Sequence, residues 1–228
     1  MKYNISKMYR KEEAQMTLAE RVYEYLTQNY KENEPIFLSD IAIPGIKDVS
    51  VRLQMKKLTE RGKIKRYDTG IYFIPKKTIF KSGSTLSADD VIRKKYLVDG
   101  DVQYGYLCGL MFANKLGLTT QVPMVYEVCS NKATTEYRDM QIGNFRMILR
   151  RPYVEITSQN VNELQFLDLM REVTDISEIE GMELTNRLIG YLKAKDIAFD
   201  SLRPYLPFYP DKIYKNMFEV GLLDGVAT

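Results

Sequence analysis

Basic side chains are concentrated in one short stretch of this sequence, where their charge is suited to binding phosphate groups. Residues 44–78 contain ten Lys or Arg and three acidic residues, a local net charge of +7, whereas the whole chain of 228 residues carries +3. Cations gathered in this way can neutralise the phosphates of a nucleic acid and release its counterions. The simpler alternative is a solvated basic surface, and the elements that carry the charge distinguish the two.

The spacing of residues 48–61 predicts one amphipathic helix. At roughly 100° per residue, three apolar side chains share one side and predict a buried stripe: Val51, Met55 and Leu58. The opposite side is mainly basic and consists of Arg52, Leu53, Lys56, Lys57 and Glu60. We expect Asp48 or Ser50 to cap the N-terminus of this helix and Gly62 to end it in a left-handed conformation.

The elements around this helix complete a recognisable order. Thr17 and Glu20 form a capping-box pattern at the start of a helix over residues 17–29. Residues 36–38 predict a short strand and residues 39–42 a brief second helix. After the basic helix, residues 63–66 and 71–74 predict two strands joined by a turn at 67–70. This order predicts a winged helix-turn-helix, a fold used mainly to grip duplex DNA, and it favours DNA contact over a solvated surface.

Composition excludes much other chemistry. The chain has no His, so neither Ser-His-Asp nor Cys-His catalysis nor a histidine-ligated metal is available within it. Its two cysteines, Cys108 and Cys129, are expected to be small buried residues. No GxxxxGK[ST] or GxGxxG pattern is present. Gly83-Ser84 with Asp89-Asp90 faintly matches a nucleotidyltransferase signature, but Ser87 predicts a helix cap there instead. We therefore expect no enzyme activity, metal or cofactor.

Charge also divides the chain. Residues 1–78 carry a net charge of +6 and residues 79–228 a net charge of −3. We expect an α+β protein with an N-terminal extension (1–16), a winged helix-turn-helix (17–78) and a mixed α/β domain with a helical C-terminus (84–228). Without an apolar run of roughly 20 residues or an apolar signal core, a cytoplasmic protein with no membrane association is expected. Without a heptad seam, a monomer in solution is expected.

The second domain is expected to begin with helices over residues 88–96 and 104–116, the latter ended by Gly117. Residues 121–130 and 144–151 predict strands. Three arginines on or beside the second strand form a candidate patch for an anion or an acidic partner, with a solvated sheet face as the alternative: Arg146, Arg150 and Arg151. From residue 162 onward the sequence predicts acidic amphipathic helices.

Three passages together carry a resemblance. Residues 70–75 follow a G-x-Y-x-x-P pattern, residues 106–116 lead into GLTTQVP at 117–123, and the strand pair and acidic helices follow in order. Over residues 17 to about 200 the chain resembles the AbiEi-type antitoxins of type IV toxin–antitoxin systems. The resemblance implies an N-terminal winged helix and a C-terminal antitoxin domain. It also implies an autorepressor that binds inverted repeats in its promoter and counters a nucleotidyltransferase toxin, generally without a stable complex.

The resemblance also implies which residues act. The expected DNA-binding residues are Ser39, then Ser50, Arg52, Leu53, Lys56 and Lys57 in the major groove, and Lys63, Lys65, Arg66 and Tyr67 on the backbone or minor groove. The antitoxin-domain motif is Leu118, Thr119, Thr120 and Gln121. Its polar side chains are expected to fix a turn rather than touch a ligand. Two alternatives remain: a winged-helix protein-interaction module, or a general transcription regulator without antitoxin activity.

Overall fold

The computed structural model describes residues 16–79 and 83–223. All of the predicted N-terminal extension except Met16 lies outside these residues. The fold is α+β, and the chain divides between Val91 and Ile92 into two compact units. The sequence places the junction near residue 80, whereas the structure assigns residues 83–91 to the first unit.

The first unit consists of two helices and a small sheet. Its elements are α1 (Leu18–Asn29), β1 (Ile36–Phe37), a 3₁₀ turn (Leu38–Asp40), α2 (Asp48–Glu60), β2 (Lys65–Asp68) and β3 (Ile71–Phe73). The three strands are antiparallel in the order β1-β3-β2. The capping box of α1 is confirmed, because Glu20 N–H donates to Thr17 Oγ1 and the Thr17 N–H donates to Glu20 Oε2. The predicted order of elements is therefore largely present.

The core of the first unit lies between α1, α2 and the sheet. It contains the predicted stripe of α2 together with residues of α1 and the strands, including Val22, Leu26, Ile36, Val51, Met55, Leu58 and Ile64. Gln54 is also buried, although the sequence gave no sign of it. Because this stripe is committed to the core, the opposite face of α2 points to solvent.

Three local predictions in this unit are wrong. The brief second helix is a single 3₁₀ turn, because Pro44 disfavours helical backbone at the preceding residue and Gly45 adopts a φ of +77°. Neither Asp48 nor Ser50 caps α2, whose N-cap is Lys47 without a side-chain hydrogen bond. β2 begins at Lys65 rather than at residue 63. The predicted end of α2 is confirmed by Gly62, which has a φ of +67°.

The second unit contains a mixed sheet with helices packed on it. A short helix α3 (Ala88–Ile92) continues into a π-helical turn (Arg93–Leu97). The elements that follow are β4 (Val98–Asp99), β5 (Val102–Gln103), β6 (Gly105–Leu107), α4 (Gly109–Lys115), β7 (Val125–Ser130), β8 (Tyr137–Ile142), β9 (Phe145–Arg150), α5 (Val161–Met170), α6 (Val173–Ile176), α7 (Gly181–Ala194), α8 (Phe199–Leu202), a 3₁₀ turn (Leu206–Phe208) and α9 (Lys212–Glu219). The large sheet has the order β6-β7-β9-β8, with β7 and β9 parallel. The predicted helical C-terminus is present.

The predicted helix over residues 104–116 is wrong in its first half. Gly105 and Tyr106 instead pair with Ser130 and Cys129 as an edge strand. The absence of a side chain at Gly105 permits this pairing, because a Cβ there would clash with the Tyr96 carbonyl oxygen and lie 2.9 Å from the carbonyl oxygen of Cys129. The prediction missed β8, and the strand expected from residue 121 begins at Val125.

The helices α5, α7 and α9 supply most of the core of the second unit. The side chains of Phe166, Leu167, Leu188 and Met217 are completely buried there. Cys108 and Cys129 are 1% and 2% exposed, so the expectation that both thiols are buried is confirmed. Burial raises the pKa of Cys129 to about 12, so its thiol remains protonated at neutral pH.

Candidate nucleic-acid interface

The outer face of α2 presents the predicted basic side chains to solvent. Arg52, Leu53, Lys56 and Lys57 are all exposed, on the side of the helix opposite Val51, Met55 and Leu58. Within the described residues, Arg52 and Lys57 form no ion pair, and Lys56 reaches Glu60 only at 4.0 Å. Such a surface pair is weak and readily exchanged for another anion. The charge on this face is therefore available to a polyanion.

One residue of this face was missed in the sequence. Val49 lies in the first turn of α2 and is 78% exposed, and Leu53, one turn further along, is 52% exposed. Because helical neighbours three and four positions apart share a face, both lie beside Arg52 and Lys56. The sequence signal was an apolar residue at a position that the helical period assigns to solvent. The face therefore combines cations with apolar side chains.

The hairpin of β2 and β3 holds its predicted residues less freely. Lys65 is half-buried, and its Nζ donates to the Ser84 carbonyl oxygen at 3.1 Å. Arg66 is exposed, but its guanidinium donates to the Asp68 carbonyl oxygen and to Thr69 Oγ1, each at 3.1 Å, across the turn. These contacts fix Arg66 at the tip of the hairpin.

The other predicted contacts differ in accessibility. Lys63 is exposed, with Nζ 5.5 Å from the centre of the Tyr23 ring. Tyr67 is half-buried, and burial raises its pKa. Ser50 is half-buried in the first turn of α2, and Ser39 is exposed on the 3₁₀ turn, where its hydroxyl donates to Asp40 Oδ1 at 2.8 Å. Of the ten predicted residues, those on the outer face of α2 are the most accessible.

The predicted anion patch on β9 is occupied by the protein's own acids. Arg146 NH2 lies 2.5 Å from Asp139 Oδ2, and this hydrogen-bonded pairing lowers the pKa of Asp139. Arg151 NH2 donates to the Thr134 carbonyl oxygen at 3.4 Å. The Arg150 side chain is only 16% exposed and lies 2.7 Å from Asp168 Oδ2. The three arginines therefore do not form one open cationic surface.

Asp168 is the centre of this internal ion cluster. Its carboxylate is nearly inaccessible and accepts from Arg150 NH2 and from Arg171 NH1, each at 2.7 Å. Burial alone would lower the pKa of Arg171, but the Asp168 carboxylate more than offsets it and the pKa is raised. A buried carboxylate between two guanidinium groups is satisfied only if both remain. The cluster therefore serves to join α5 to the sheet.

The GLTTQVP segment forms a hydrogen-bonded turn. Gln121 N–H donates to Thr119 Oγ1 at 3.1 Å, which is the side-chain-to-backbone bond expected of this segment. Thr120 donates its N–H and its hydroxyl to Glu178 Oε2, at 2.6 and 2.8 Å. These bonds lower the pKa of Glu178 to about 2, the bond from the Thr120 N–H being the largest cause. Leu118 is fully buried beneath the turn.

The acidic residues near Gly83 have a structural explanation. Asp90 N–H donates to Ser87 Oγ at 3.1 Å and the Ser87 hydroxyl donates back to Asp90 Oδ2, so this pair caps α3 as predicted. Among residues 16–79 and 83–223, no group of three His, Cys, Asp or Glu could hold a metal ion. Over the same residues, every helix is too short or too polar to cross a membrane.

Comparison of the sequence with models of protein families and with curated proteins finds no match.

Proposed function

We propose that this chain is a transcriptional autorepressor of the winged helix-turn-helix type that binds inverted repeats in its own promoter, and that its larger domain acts as the antitoxin to a nucleotidyltransferase. It catalyses no reaction itself. The observation that carries the DNA-binding part is the outer face of α2, where Arg52, Lys56 and Lys57 are exposed opposite a buried stripe. A major groove of B-DNA admits one helix presented in this way.

The neighbouring hairpin supports the same mode of binding. Arg66 is held at the exposed tip of β2 and β3 by its two bonds across the turn, while Lys63 lies exposed just before the hairpin. A cation fixed in this way loses little side-chain entropy when it contacts a phosphate. We propose that α2 reads base edges and that the hairpin grips the backbone, which sets the register of the helix in the groove.

The antitoxin part of the proposal is supported by the resemblance in residues 70–75 and 117–123. In the structure, the second of these segments is a turn tied by Thr120 to Glu178 and by Leu118 to the core. We propose a structural role for the motif within the antitoxin domain. Since Arg150 is engaged with Asp168, DNA binding is assigned to the first unit alone.

The test of DNA binding compares the full chain with a triple variant, Arg52→Ala, Lys56→Ala and Lys57→Ala. The probes are a duplex from upstream of the gene and a random duplex of equal length. Wild type is expected to prefer the promoter duplex, with binding that weakens steeply as salt rises. The triple variant is expected to lower the log–log salt slope by about 3, since each lost phosphate contact removes roughly 0.9.

The matched control removes three exposed cations that have no proposed role: Lys115→Ala, Lys193→Ala and Lys195→Ala. It should bind the promoter duplex with the wild-type salt slope. Equal binding to promoter and random duplex would exclude a repressor, and no binding to any duplex at 50 mM salt would favour a protein-interaction module.

The antitoxin test is genetic. A nucleotidyltransferase reading frame from the same operon is expressed alone and together with this chain, and growth is measured. Rescue of growth by both wild type and the DNA-binding triple variant is expected, because the larger domain does not need the promoter. A promoter-specific repressor that fails to rescue growth would be a general transcription regulator without antitoxin activity.

A further inference from the structure

The outer face of α2 contains two apolar side chains that the packing of the first unit does not explain. Val49 and Leu53 are 78% and 52% exposed, whereas the face of a helix opposite its core is ordinarily polar. Val is also a weaker helix former than Lys, Glu or Ala, so an exposed Val in the first turn brings α2 no local stability. An interaction outside the chain gives these residues a role.

Their surroundings indicate which partner fits. Val49 and Leu53 lie among Arg52, Lys56 and Lys57, and Lys47 is exposed at the N-cap of the same helix. The centre of a protein–protein interface is depleted in charge, so a surface of this composition is a poor match for an apolar protein partner. A major groove bordered by phosphates matches both parts, since it offers anions at its edges and apolar methyl groups on its floor.

We infer that Val49 and Leu53 contact the C5-methyl groups of thymines, so that the protein selects A·T pairs at the base positions these side chains reach. This inference rests on the proposed function, because it names what the same helix face reads. Four residues of helix advance about 6 Å along the axis. In a helix lying along the groove, the two side chains are therefore separated by about two base-pair steps of roughly 3.4 Å.

Replacing thymine by uracil tests the inference directly, since it removes the methyl group and leaves the Watson–Crick pairing intact. A duplex is first selected from a random pool with the full chain at low salt, then synthesised with thymine or with uracil at each position in turn. Wild type is expected to lose about fourfold in affinity at each contacted thymine, the equivalent of about 0.8 kcal/mol for one buried methyl-sized group.

Variants assign each methyl contact to a side chain. Leu53→Ala is expected to abolish the discrimination between thymine and uracil at one position, and Val49→Ala at a second position about two steps away. Val122→Ala is the matched control, because Val122 is 80% exposed and lies outside the first unit. It should discriminate as wild type does. Circular dichroism and thermal midpoints check that the variants are folded.

The outcomes separate the two proposals. If wild type binds the selected duplex but tolerates uracil at every position, the thymine contacts are absent and DNA binding stands. If Val49→Ala and Leu53→Ala weaken binding while the ratio of thymine to uracil affinity stays at its wild-type value, the inference also fails. If no duplex is enriched from the pool, both the inference and the proposed function fail.

Discussion

Thr120 donates both its backbone N–H and its hydroxyl to a single oxygen of Glu178, at 2.6 and 2.8 Å. The two residues are 58 positions apart, so the contact fixes the turn after α4 to the segment before α7. Glu178 is exposed, and its carboxylate is stabilised by these donors rather than by burial, which is why its pKa falls to about 2.

The lowered pKa of Glu178 predicts a pH dependence of stability. A carboxyl whose folded pKa lies below its unfolded value of 4.5 stabilises the fold above pH 4.5, and that contribution is lost as pH falls towards 2. Glu178→Gln should therefore lower the thermal midpoint at pH 7, with the difference from wild type narrowing between pH 4.5 and pH 2. Glu180→Gln, an exposed neighbour, is the control and should follow wild type. A difference independent of pH would contradict the prediction.

Asp168 is predicted to be the most sensitive acid in the second unit. Asp168→Asn removes the anion shared by Arg150 and Arg171 and leaves two partly buried guanidinium groups without a counter-charge. The expected loss is about 3–5 kcal/mol in the free energy of unfolding, measured by urea denaturation. Asp200→Asn breaks a surface pair with Arg203 and is expected to cost less than about 1 kcal/mol. Similar losses in both variants would show that Asp168 is not a buried counter-ion.

Gly105 and Gly190 predict opposite effects of the same substitution. Gly105→Ala would drive a methyl group into the Tyr96 carbonyl oxygen and is expected to destabilise the protein by about 3 kcal/mol or more. Gly190 lies in α7 with no atom within 4 Å of an added Cβ. Gly190→Ala is therefore expected to stabilise the protein by about 0.5–1 kcal/mol. Thermal and urea unfolding of both variants test the pair, and a tolerated Gly105→Ala would contradict the tight approach of β6 to the π-helical turn.

Two cations on α2 are predicted to act differently on DNA. Arg52 lies beside Val49 and Leu53, where its fork can reach a base edge, so Arg52→Ala should relax preference at one base pair by roughly 1–3 kcal/mol. Lys57 lies at the side of the face, so Lys57→Ala should weaken all duplexes alike. Affinities for the selected duplex and its single-base variants distinguish the two, and a uniform loss in Arg52→Ala would assign that residue to the phosphates.

Local sequence patterns identified the elements whose cause is local. The capping box of Thr17 and Glu20, the buried stripe of α2 and the stop at Gly62 all depend on residues within one or two helical turns. The periodicity that buries Val51, Met55 and Leu58 also leaves Arg52, Lys56 and Lys57 outside. The candidate interface on α2 was therefore predictable from the sequence.

Long-range partners decided what the sequence misassigned. The small residues near Gly105 fit a helix by their spacing, but pairing with β7 and the close approach of Tyr96 make the segment a strand. Arg150 shares a strand with Arg146 in any sequence-based prediction, and only the folded chain brings it to Asp168, 18 residues away.

The sequence by itself therefore determined where the positive charge lies and which face of α2 carries it, because helical periodicity and capping act within a few residues. The tertiary structure decided which of those charges remain accessible. A cation is available to DNA only where no acid or carbonyl of the same chain has been brought beside it, and contacts between residues distant in sequence settle that.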